Sequence, residues 1–342
     1  MFWYTHLEFI AHAIPTMPAY HQGRYIAARG SDNVDIRNRA FVMECVADVA
    51  LTRAHDSSGT LKIFVAPEFF FRGRTGAYGL DGLQQVVRAI KLWASAKKFE
   101  HWLFFCGTVV ATFENDRNER EIVNVAIVQH GGPSGATYTV MKEALAPDDF
   151  LTNGQLAQAR RPQRGALTME TIVGVKNLQQ FDALTNRGAG AEAQKKPYDG
   201  RGIFDDARIR FGVEVCADHL VSKLAKSPTS MFDWHPQVQV VTACGVQYIV
   251  ADSVVASKGG YAFLCDGFFA ATQDGVAAHS ELRKITTARN GTTAATTTAI
   301  AKRSTIALER RLTRDWKSGF SAAGELHFYP RQDAPWSSLR LW

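Results

Sequence analysis

The 342-residue chain lacks the features that mark several broad classes of protein. Its five cysteines are widely spaced, odd in number and without a CxxC pair, which argues against a disulfide framework and a structural zinc site. No apolar run approaches the ~20 residues of a membrane-spanning helix, and the N-terminal stretch, which contains Glu8, lacks the basic start of a signal peptide. From these absences we expect no metal, no membrane partner and a reducing, cytoplasmic location.

Long blocks of charge of one sign are missing as well. The formal net charge is +6 and the sequence pI is about 9.1, but Lys and Arg are dispersed. We therefore expect no nucleic-acid partner, whereas a small anionic or carboxylate-bearing substrate is compatible with the mild positive charge. The composition, 46% hydrophobic and 21% charged, is that of an ordinary globular protein, and the length suits one large α/β domain or two smaller ones.

What is present is an alternation of apolar runs and helical patterns. The patterns predict strands near residues 7–13, 62–66, 102–111, 122–129, 138–141, 208–216, 236–241, 247–252, 261–271 and 304–312, with a loop or strand edge at 290–300. Helices are predicted near 36–55, with Asp35 as the cap, and near 83–97. This order predicts the α/β class, and the three closely spaced strands from 102 to 141 predict antiparallel pairing in part of the sheet.

Two segments differ from this pattern. Residues 150–204 are rich in Gln, Asn, Gly, Arg and Ala, and they are long for a connection within a compact domain. We interpret them as an insert that is a lid, a pocket loop or partly disordered. Residues 320–342 form an aromatic tail that we expect to dock on the body of the protein or on a second subunit.

Three residues that carry chemistry stand where apolar strands stop: Glu68, Lys142 and Cys216. Side chains at strand ends converge on a crevice in sheets of this type. A glutamate in apolar surroundings can take the proton of a cysteine, and a lysine favours the thiolate and stabilises a developing oxyanion. The trio suits formation and hydrolysis of a thioester. Taken singly, each residue also fits a plain alternative: an idle loop-edge Glu, a solvated Lys or a core Cys.

Three further residues lie close enough to be considered. His219 follows Cys216 by three positions, so a Cys-His pair is an alternative to the trio. Arg72 and Arg74 lie near Glu68, and we interpret them as surface cations rather than as ligands of a substrate carboxylate.

The segments around the trio resemble the nitrilase superfamily of carbon–nitrogen hydrolases. The likeness rests on Pro67-Glu68, on the strand that ends at Lys142 and on the element from Gly212 to Asp218. Weaker landmarks are Cys106-Gly107-Thr108, Val123-Asn124-Val125-Ala126 and the apolar stretch from Gly245 to Ala251. The likeness extends over most of residues 5–150 and 205–312.

The resemblance implies an α-β-β-α sandwich of two mixed sheets flanked by helices, assembled as a homodimer or a higher homo-oligomer. It implies Glu68 as general base, Cys216 as nucleophile and Lys142 as oxyanion stabiliser, with the backbone N–H of Ala217 as a second donor. No metal or organic cofactor is implied. The predicted hydrolase domain spans 1–319 with the insert 150–204, followed by the tail 320–342.

Two further observations concern carboxylates. Members of the superfamily often carry a second glutamate after the lysine, and here the nearest carboxylates are Asp148 and Asp149, although Pro-Asp-Asp is also an ordinary turn. Glu214, two positions before Cys216, is expected to share its strand face, and for it we favour structural ion pairing over catalysis.

The resemblance implies a hydrolase that cleaves a non-peptide carbon–nitrogen bond in a small molecule. The sequence Cys-Ala-Asp, in place of the Cys-Trp-Glu of nitrilases, favours an amide or carbamoyl substrate over a nitrile. A nitrile hydrolase remains the alternative within the class. An acyltransferase and a catalytically silent binding or scaffold protein are the alternatives outside it.

Overall fold

The computed structural model describes residues 4–18, 20–21, 24–25, 30–114, 117–151, 202–226, 235–268, 271–272, 275–276, 278–309, 320 and 322–335. Most of the predicted insert and the last part of the predicted tail lie outside these ranges. Among the described residues, no helix has both the length and the hydropathy that a membrane span requires.

The first half of the chain supplies most of one sheet and the main helices. In chain order its elements are β1 (His6–Ala13), β2 (Tyr20–His21), β3 (Arg24–Tyr25), α1 (Asp32–Leu51), β4 (Thr60–Ala66), β5 (Phe71–Arg72), β6 (Tyr78–Gly79), α2 (Leu80–Ala94), β7 (Trp102–Glu114), β8 (Arg120–His130), β9 (Thr137–Met141) and α3 (Pro147–Phe150). A 3-10 turn, Lys97–Phe99, joins α2 to β7.

The second half supplies the other sheet and then returns to the first. Its elements are β10 (Ile203–Asp206), β11 (Ile209–Val215), α4 (Ala217–Leu220), β12 (Val238–Ala243), β13 (Tyr261–Asp266), β14 (Ala271–Thr272), β15 (Gly275–Val276), β16 (His279–Thr287), β17 (Thr296–Ile300), β18 (Ser304–Ala307), β19 (Glu325–Phe328) and β20 (Gln332–Asp333). Two 3-10 turns, Leu224–Lys226 and Ala251–Ser253, follow α4 and β12.

Both large sheets are mixed, with parallel strands at the centre. The first has the order β18-β19-β1-β4-β7-β8-β9, with β20, β5 and β6 paired along its path. Strands β1, β4 and β7 run parallel, and β8, β9, β18 and β19 are antiparallel to their neighbours. The second sheet has the order β10-β11-β12-β13-β16-β17 and is parallel from β11 to β13. The predicted antiparallel pairing of the strands between 102 and 141 is confirmed.

The two sheets pack face to face, and strand alternation determines which residues lie between them. In β1, Phe9 points into the layer between the sheets, where it packs against Phe263, while Ile10 points to the layer under α1 and α2. Both layers are apolar and buried, so the first sheet is covered on both faces. The predicted α/β sandwich of two mixed sheets is confirmed. On the outer face of the second sheet, the described residues provide α4 and the two short 3-10 turns.

The predicted strand at 247–252 is wrong. Its backbone N–H groups are bound by side chains rather than by a neighbouring strand: Ile249 donates to Glu281 Oε2 at 2.8 Å and Val250 to His219 Nε2 at 2.9 Å. The apolar residues of this stretch are held at the end of the sheet, and the chain then turns into the 3-10 helix Ala251–Ser253.

Both long helices begin about one turn earlier than predicted. Ser31 precedes α1 as its N-cap residue, and Asp35, the predicted cap, lies inside the helix. Its carboxylate instead accepts hydrogen bonds from Arg39 Nε at 2.9 Å and from Tyr78 Oη at 2.5 Å. The acidic side chain therefore joins α1 to β6 instead of starting the helix.

The described part of the predicted tail belongs to the body of the protein. Strand β19 pairs with β1 on one side and with β18 on the other, so it is an internal strand of the first sheet. Phe328 and Tyr329 are buried there. The aromatic residues of this part dock within the same chain.

Candidate active site

Lys142 is the centre of a buried polar cluster at the end of β9. Its backbone N–H donates to Asn124 O at 2.8 Å, which holds it against β8. Its Nζ donates to Glu68 Oε1 at 2.7 Å and to Asp149 Oδ2 at 2.8 Å, and all three side chains have 0% exposure. An ammonium group carries three N–H donors, so these two bonds leave one donor of Lys142 for another acceptor.

Asn124, on β8, joins the same two carboxylates. Its Nδ2 donates to Glu68 Oε1 at 2.8 Å and to Asp149 Oδ1 at 2.7 Å. Sequence analysis named Asn124 only as part of the motif Val123-Asn124-Val125-Ala126 and gave it no role in the site. An amide in the middle of an apolar strand needs hydrogen-bond partners, which is a signal of a polar site. Asp149 is thus the acidic residue after the lysine that enters the cluster.

Cys216 lies just beyond the end of β11, in a backbone conformation that most side chains avoid. Its φ is 50° and its ψ is −108°, and α4 begins at the next residue, Ala217. The Cys216 N–H donates to Thr242 O at 3.0 Å, and the thiol lies 3.8 Å from Cys244 O. A strained strand-to-helix turn of this kind directs a nucleophile out of the strand alternation.

The first peptide N–H groups of a helix have no acceptor inside the helix. Ala217 directly follows Cys216 and is the first residue of α4, so its N–H has no acceptor within that helix.

Glu68 and Cys216 come from different sheets, and cross-sheet hydrogen bonds join the end of β4 to the end of β12, the strand to which Cys216 is bonded. Glu68 N–H donates to Ala243 O at 3.3 Å, and Thr242 Oγ1 donates to Ala66 O at 2.9 Å. On the other side, a bulge in β7 places Gly107 against the Glu68 turn, where a Cβ atom would lie 2.2 Å from Pro67 O. Glycine at 107, with φ of +67°, permits this close approach.

The electrostatic environment couples the base to the thiol. Burial raises the pKa of Glu68, against the opposing effect of Lys142, and Asp149 raises it further. Burial and the charge of Glu68 raise the pKa of the Cys216 thiol well above its usual value, with Lys142 opposing them. Glu68 and Cys216 perturb each other directly, while Glu68 Oε2 accepts no conventional hydrogen bond from any described residue. Burial thus favours the protonated thiol of Cys216, whereas Lys142 favours the ionised form of Glu68 beside it.

Lys142 stays charged in this setting. Burial works against its charge, but Glu68 and Asp149 outweigh burial and raise its pKa. A permanent ammonium ion beside a buried thiol favours negative charge on the sulfur or on an oxygen bound next to it.

Arg72 corrects one of the sequence predictions, because it is buried rather than a surface cation. Its Nη2 donates to Asp148 O at 2.5 Å and to Asp149 O at 3.0 Å, and its guanidinium lies 4.4 Å from the centre of the Phe69 ring. Arg72 therefore fixes the backbone of α3 and, through it, Asp149. Arg74 is exposed, as predicted.

Asp218 fixes the chain that follows Lys142. Its Oδ1 accepts the N–H of Ala144 at 2.7 Å, and both of its carboxylate oxygens accept the N–H of Glu143, at 3.1 and 3.2 Å. Burial raises the pKa of Asp218 to about 7, although the hydrogen bond from Ala144 lowers it. Because Asp218 is two residues from Cys216, it links the nucleophile turn to the loop that carries Asp149.

Glu214 lies in a separate network on the outer face of the second sheet. Its carboxylate accepts Gln239 Nε2 at 2.9 Å and the N–H of Leu224 at 2.9 Å, and it pairs with His219 Nδ1 at 2.6 Å. The expectation that Glu214 shares a face with Cys216 is wrong, because the positive φ of Cys216 interrupts the strand alternation. The preference for structural pairing of Glu214 agrees with this geometry.

His219 has no ring nitrogen left for the thiol. Its Nδ1 faces Glu214, and its Nε2 accepts the N–H of Val250 at 2.9 Å, which makes the ring the neutral Nδ1–H tautomer. The Cys-His alternative is therefore not supported by the geometry.

The structure brings Glu68, Lys142, Cys216 and Asp149 together and leaves Asp148 at the edge of the cluster. Asp148 contributes its backbone carbonyl to Arg72, and its side chain is half-buried. Within the described ranges, no three His, Cys, Asp or Glu side chains are grouped so as to hold a metal ion. A thiol, a carboxyl group and an ammonium group at close range, from Cys216, Glu68 and Lys142, are the groups that covalent acyl transfer requires.

No protein-family model and no curated protein sequence matches the chain. Among solved structures, the chain is similar to a cysteine-to-alanine mutant of the Nesterenkonia AN1 amidase from the nitrilase superfamily, at 8% identity and a TM-score of 0.44, over 97% of this chain and 91% of that one. A glutamine-dependent NAD+ synthetase from Acinetobacter baumannii matches at 12% identity and 0.41, over 81% and 41%. An N-terminal amidase variant matches at 12% and 0.33, over 71% and 48%.

Proposed function

We propose that the chain is a carbon–nitrogen hydrolase of the nitrilase superfamily that cleaves a non-peptide amide or carbamoyl bond through a thioester on Cys216. The observation that carries this proposal is the buried contact set in which Lys142 Nζ bonds both Glu68 and Asp149, with Glu68 perturbing the thiol of Cys216. A buried charge cluster of this kind costs desolvation energy, which is typical of sites that perform chemistry.

In the first half of the reaction, the Cys216 thiol gives its proton to Glu68 as the sulfur bonds to the substrate carbonyl carbon. The carbonyl oxygen becomes an oxyanion, for which the remaining N–H of Lys142 and the N–H of Ala217 are the donors. The oxyanion then re-forms the carbonyl group while the carbon–nitrogen bond breaks. Ammonia or an amine leaves with the proton held by Glu68, and a thioester remains.

In the second half, water replaces the amine. Glu68 takes a proton from the water as its oxygen adds to the thioester carbon, and the same donors stabilise the second oxyanion. The carbon–sulfur bond breaks, the sulfur recovers the proton from Glu68, and the carboxylic acid is released. A glutamate whose pKa is raised by burial is suited to both steps, because it takes up a proton more readily than an exposed carboxylate does and can still return it.

A substrate panel with ammonia detection tests the proposal. The panel contains small aliphatic and aromatic amides, carbamoyl compounds and the matching nitriles. We expect ammonia from amides or carbamoyl compounds in the wild-type protein and none from the Cys216→Ala protein. Unchanged turnover in Cys216→Ala would remove the proposed nucleophile, and turnover of nitriles alone would replace the amidase proposal with a nitrilase. Homo-oligomeric assembly stays a prediction, which light scattering of the intact protein would measure.

A further inference from the structure

We propose that Asn124 is a positioning residue that holds Glu68 beside Asp149 and keeps Glu68 ionised as the base for Cys216. This inference rests on the proposed function, because it assigns Asn124 a role in the proton transfer from Cys216 to Glu68. Asn124 acts through Glu68 and does not itself contact the sulfur in any described bond.

Four hydrogen bonds form a closed ring around the two carboxylates. Lys142 Nζ bonds Glu68 Oε1 and Asp149 Oδ2, at 2.7 and 2.8 Å, and Asn124 Nδ2 bonds Glu68 Oε1 and Asp149 Oδ1, at 2.8 and 2.7 Å. Lys142 and Asn124 both donate to the same oxygen of Glu68, Oε1. The other oxygen, Oε2, accepts no conventional hydrogen bond from any described residue, so it is the oxygen left to receive the proton of the thiol.

The amide suits this position because it donates without adding charge. A second cation in place of Asn124 would pair with a carboxylate more strongly and would suppress its basicity, whereas an apolar side chain would leave two buried carboxylates to share one ammonium ion. The orientation of the amide follows from its partners, since ionised carboxylates only accept hydrogen bonds and the NH₂ group must face them.

The other end of the amide supports the same interpretation. Asn124 is fully buried, and its Oδ1 accepts no hydrogen bond from any described residue. A buried carbonyl oxygen without a hydrogen bond destabilises the fold, so the amide of Asn124 has a cost at this position. The gain lies in the two N–H donors, and both of them end on the acidic residues of the site.

Removing these donors has a predictable sign. A hydrogen bond to a carboxylate favours its ionised form, so Asn124→Leu will raise the pKa of Glu68 beyond the increase that burial already causes. Glu68 then stays protonated up to a higher pH, and while it is protonated it cannot take the proton of the Cys216 thiol. The rate of alkylation of Cys216 falls at low pH, where Glu68 is protonated. In Asn124→Leu the midpoint of this fall will move to higher pH by about one to two pH units, the scale of one hydrogen bond to a charged group.

The test is the pH profile of alkylation of the full-length protein by iodoacetamide, read by mass spectrometry. The tryptic peptide 211–223 contains Cys216, and the peptide 40–53 contains Cys45, which is half-buried on α1 and serves as a thiol control in the same sample. The matched variant is Gln129→Leu. Gln129 is a buried amide on the same strand, but its Nε2 donates to His130 O, Gly135 O and Ala136 O, away from the site.

We expect the midpoint of the Cys216 profile to rise in Asn124→Leu and to stay in place in Gln129→Leu, with Cys45 unchanged in both. A merely structural role would lower the melting temperature without moving the midpoint. If Asn124→Leu does not fold, Asn124→Val, which suits a strand, takes its place with the same readout.

A third variant, Glu68→Gln, separates failure of this inference from failure of the proposed function. An unmoved midpoint in the Asn124 variant, with a changed profile in Glu68→Gln, overturns the role of Asn124 and leaves Glu68 as the base. An unmoved midpoint in both variants overturns the role of Glu68 and the inference together.

Discussion

Local preference and position conflict at Cys216. A side chain at φ of 50° and ψ of −108° lies outside the regions that non-glycine residues favour, and such conformations cost about 1–3 kcal/mol. The surroundings impose this geometry: the N–H of Cys216 is tied to Thr242, and α4 starts at the next residue. Strain at the proposed nucleophile is therefore part of the architecture that points the thiol at Glu68.

A pair of substitutions measures that strain. Because glycine adopts positive φ without penalty, we expect Cys216→Gly to be more stable than Cys216→Ala by about 1 kcal/mol, the reverse of the usual order in regular structure. Unfolding in urea, followed by circular dichroism, gives the two free energies. A Gly variant that is less stable than the Ala variant would mean that the turn at Cys216 is unstrained.

At the same scale, the sequence predicted some site residues and missed others. Glu68, Lys142 and Cys216 could be found because each ends an apolar strand, and strand ends converge. Asp148 and Asp149 could not be separated, since the choice depends on how the short helix α3 presents them. Arg72 could not be recognised as buried, because its partners are backbone carbonyl groups, which leave no pattern in the sequence.

The decisive element is the loop and short helix at 143–151, which carries Asp149 to the site. Arg72 binds its last carbonyl groups, Asp218 binds its first N–H groups, and Lys223 pairs with Glu143 at 2.8 Å near the surface. The side chains of Arg72 and Asp218 are buried, whereas Lys223 is partly exposed. We therefore expect the buried contacts to control the position of Asp149.

Asp218 and Lys223 make a matched comparison for this element. We predict that Asp218→Ala lowers kcat/KM by about 100-fold, the scale of a displacement of about 1 Å at a reacting group. Lys223→Met removes a partly exposed ion pair, so its kcat/KM stays within about threefold of the wild type. Rates of ammonia release from a substrate found in the panel provide the comparison. Equal losses in the two variants would show that Asp218 has no special part in placing the loop.

Elements were predictable where the pattern was long and regular. Strands β4, β7, β8 and β9 were found from their apolar runs, because each is buried on both faces or nearly so. The stretch 247–252 is equally apolar but forms no strand, because Glu281 and His219 supply acceptors for its N–H groups from elsewhere in the chain. The residue pattern of the stretch itself gives no information on those partners, which are distant in the sequence.

At the scale of the molecule, the two sheets are joined by polar contacts at the margin as well as by the apolar layer. His130 on β8 pairs with Asp206 on β10 through Nδ1 at 2.6 Å, and its Nε2 lies 3.2 Å from Glu100 O. Both ring nitrogens thus face acceptors, which favours the doubly protonated ring. Burial opposes the charge, but Asp206 outweighs it and raises the pKa of His130.

This pair predicts a pH-dependent contribution to stability. A histidine whose pKa is raised by folding adds stability that is fully present below its unfolded pKa of about 6.5 and is lost as pH rises through the folded value. His130→Gln should therefore destabilise the protein more at pH 5.5 than at pH 9. Urea unfolding at the two pH values measures it. A destabilisation that is the same at both values would contradict the charged pair.

The order of strands within the sheets could not be predicted from the sequence. Strand β19 comes from near the end of the chain but lies between β1 and β18, an arrangement set by long-range packing rather than by any local signal. The class of the fold followed from the order of its elements; the arrangement that brings β4 of one sheet next to β12 of the other did not. The meeting of Glu68 with Cys216 depends on that arrangement.

The most direct test of the central claim is acid-quenched mass spectrometry during turnover of an amide from the panel. We predict that the tryptic peptide 211–223 gains the mass of the acyl group in the wild-type protein, and that the adduct is absent in Cys216→Ala, which also releases no ammonia. An enzyme that hydrolyses the amide with no acyl adduct on Cys216, and at an unchanged rate in Cys216→Ala, would contradict the account.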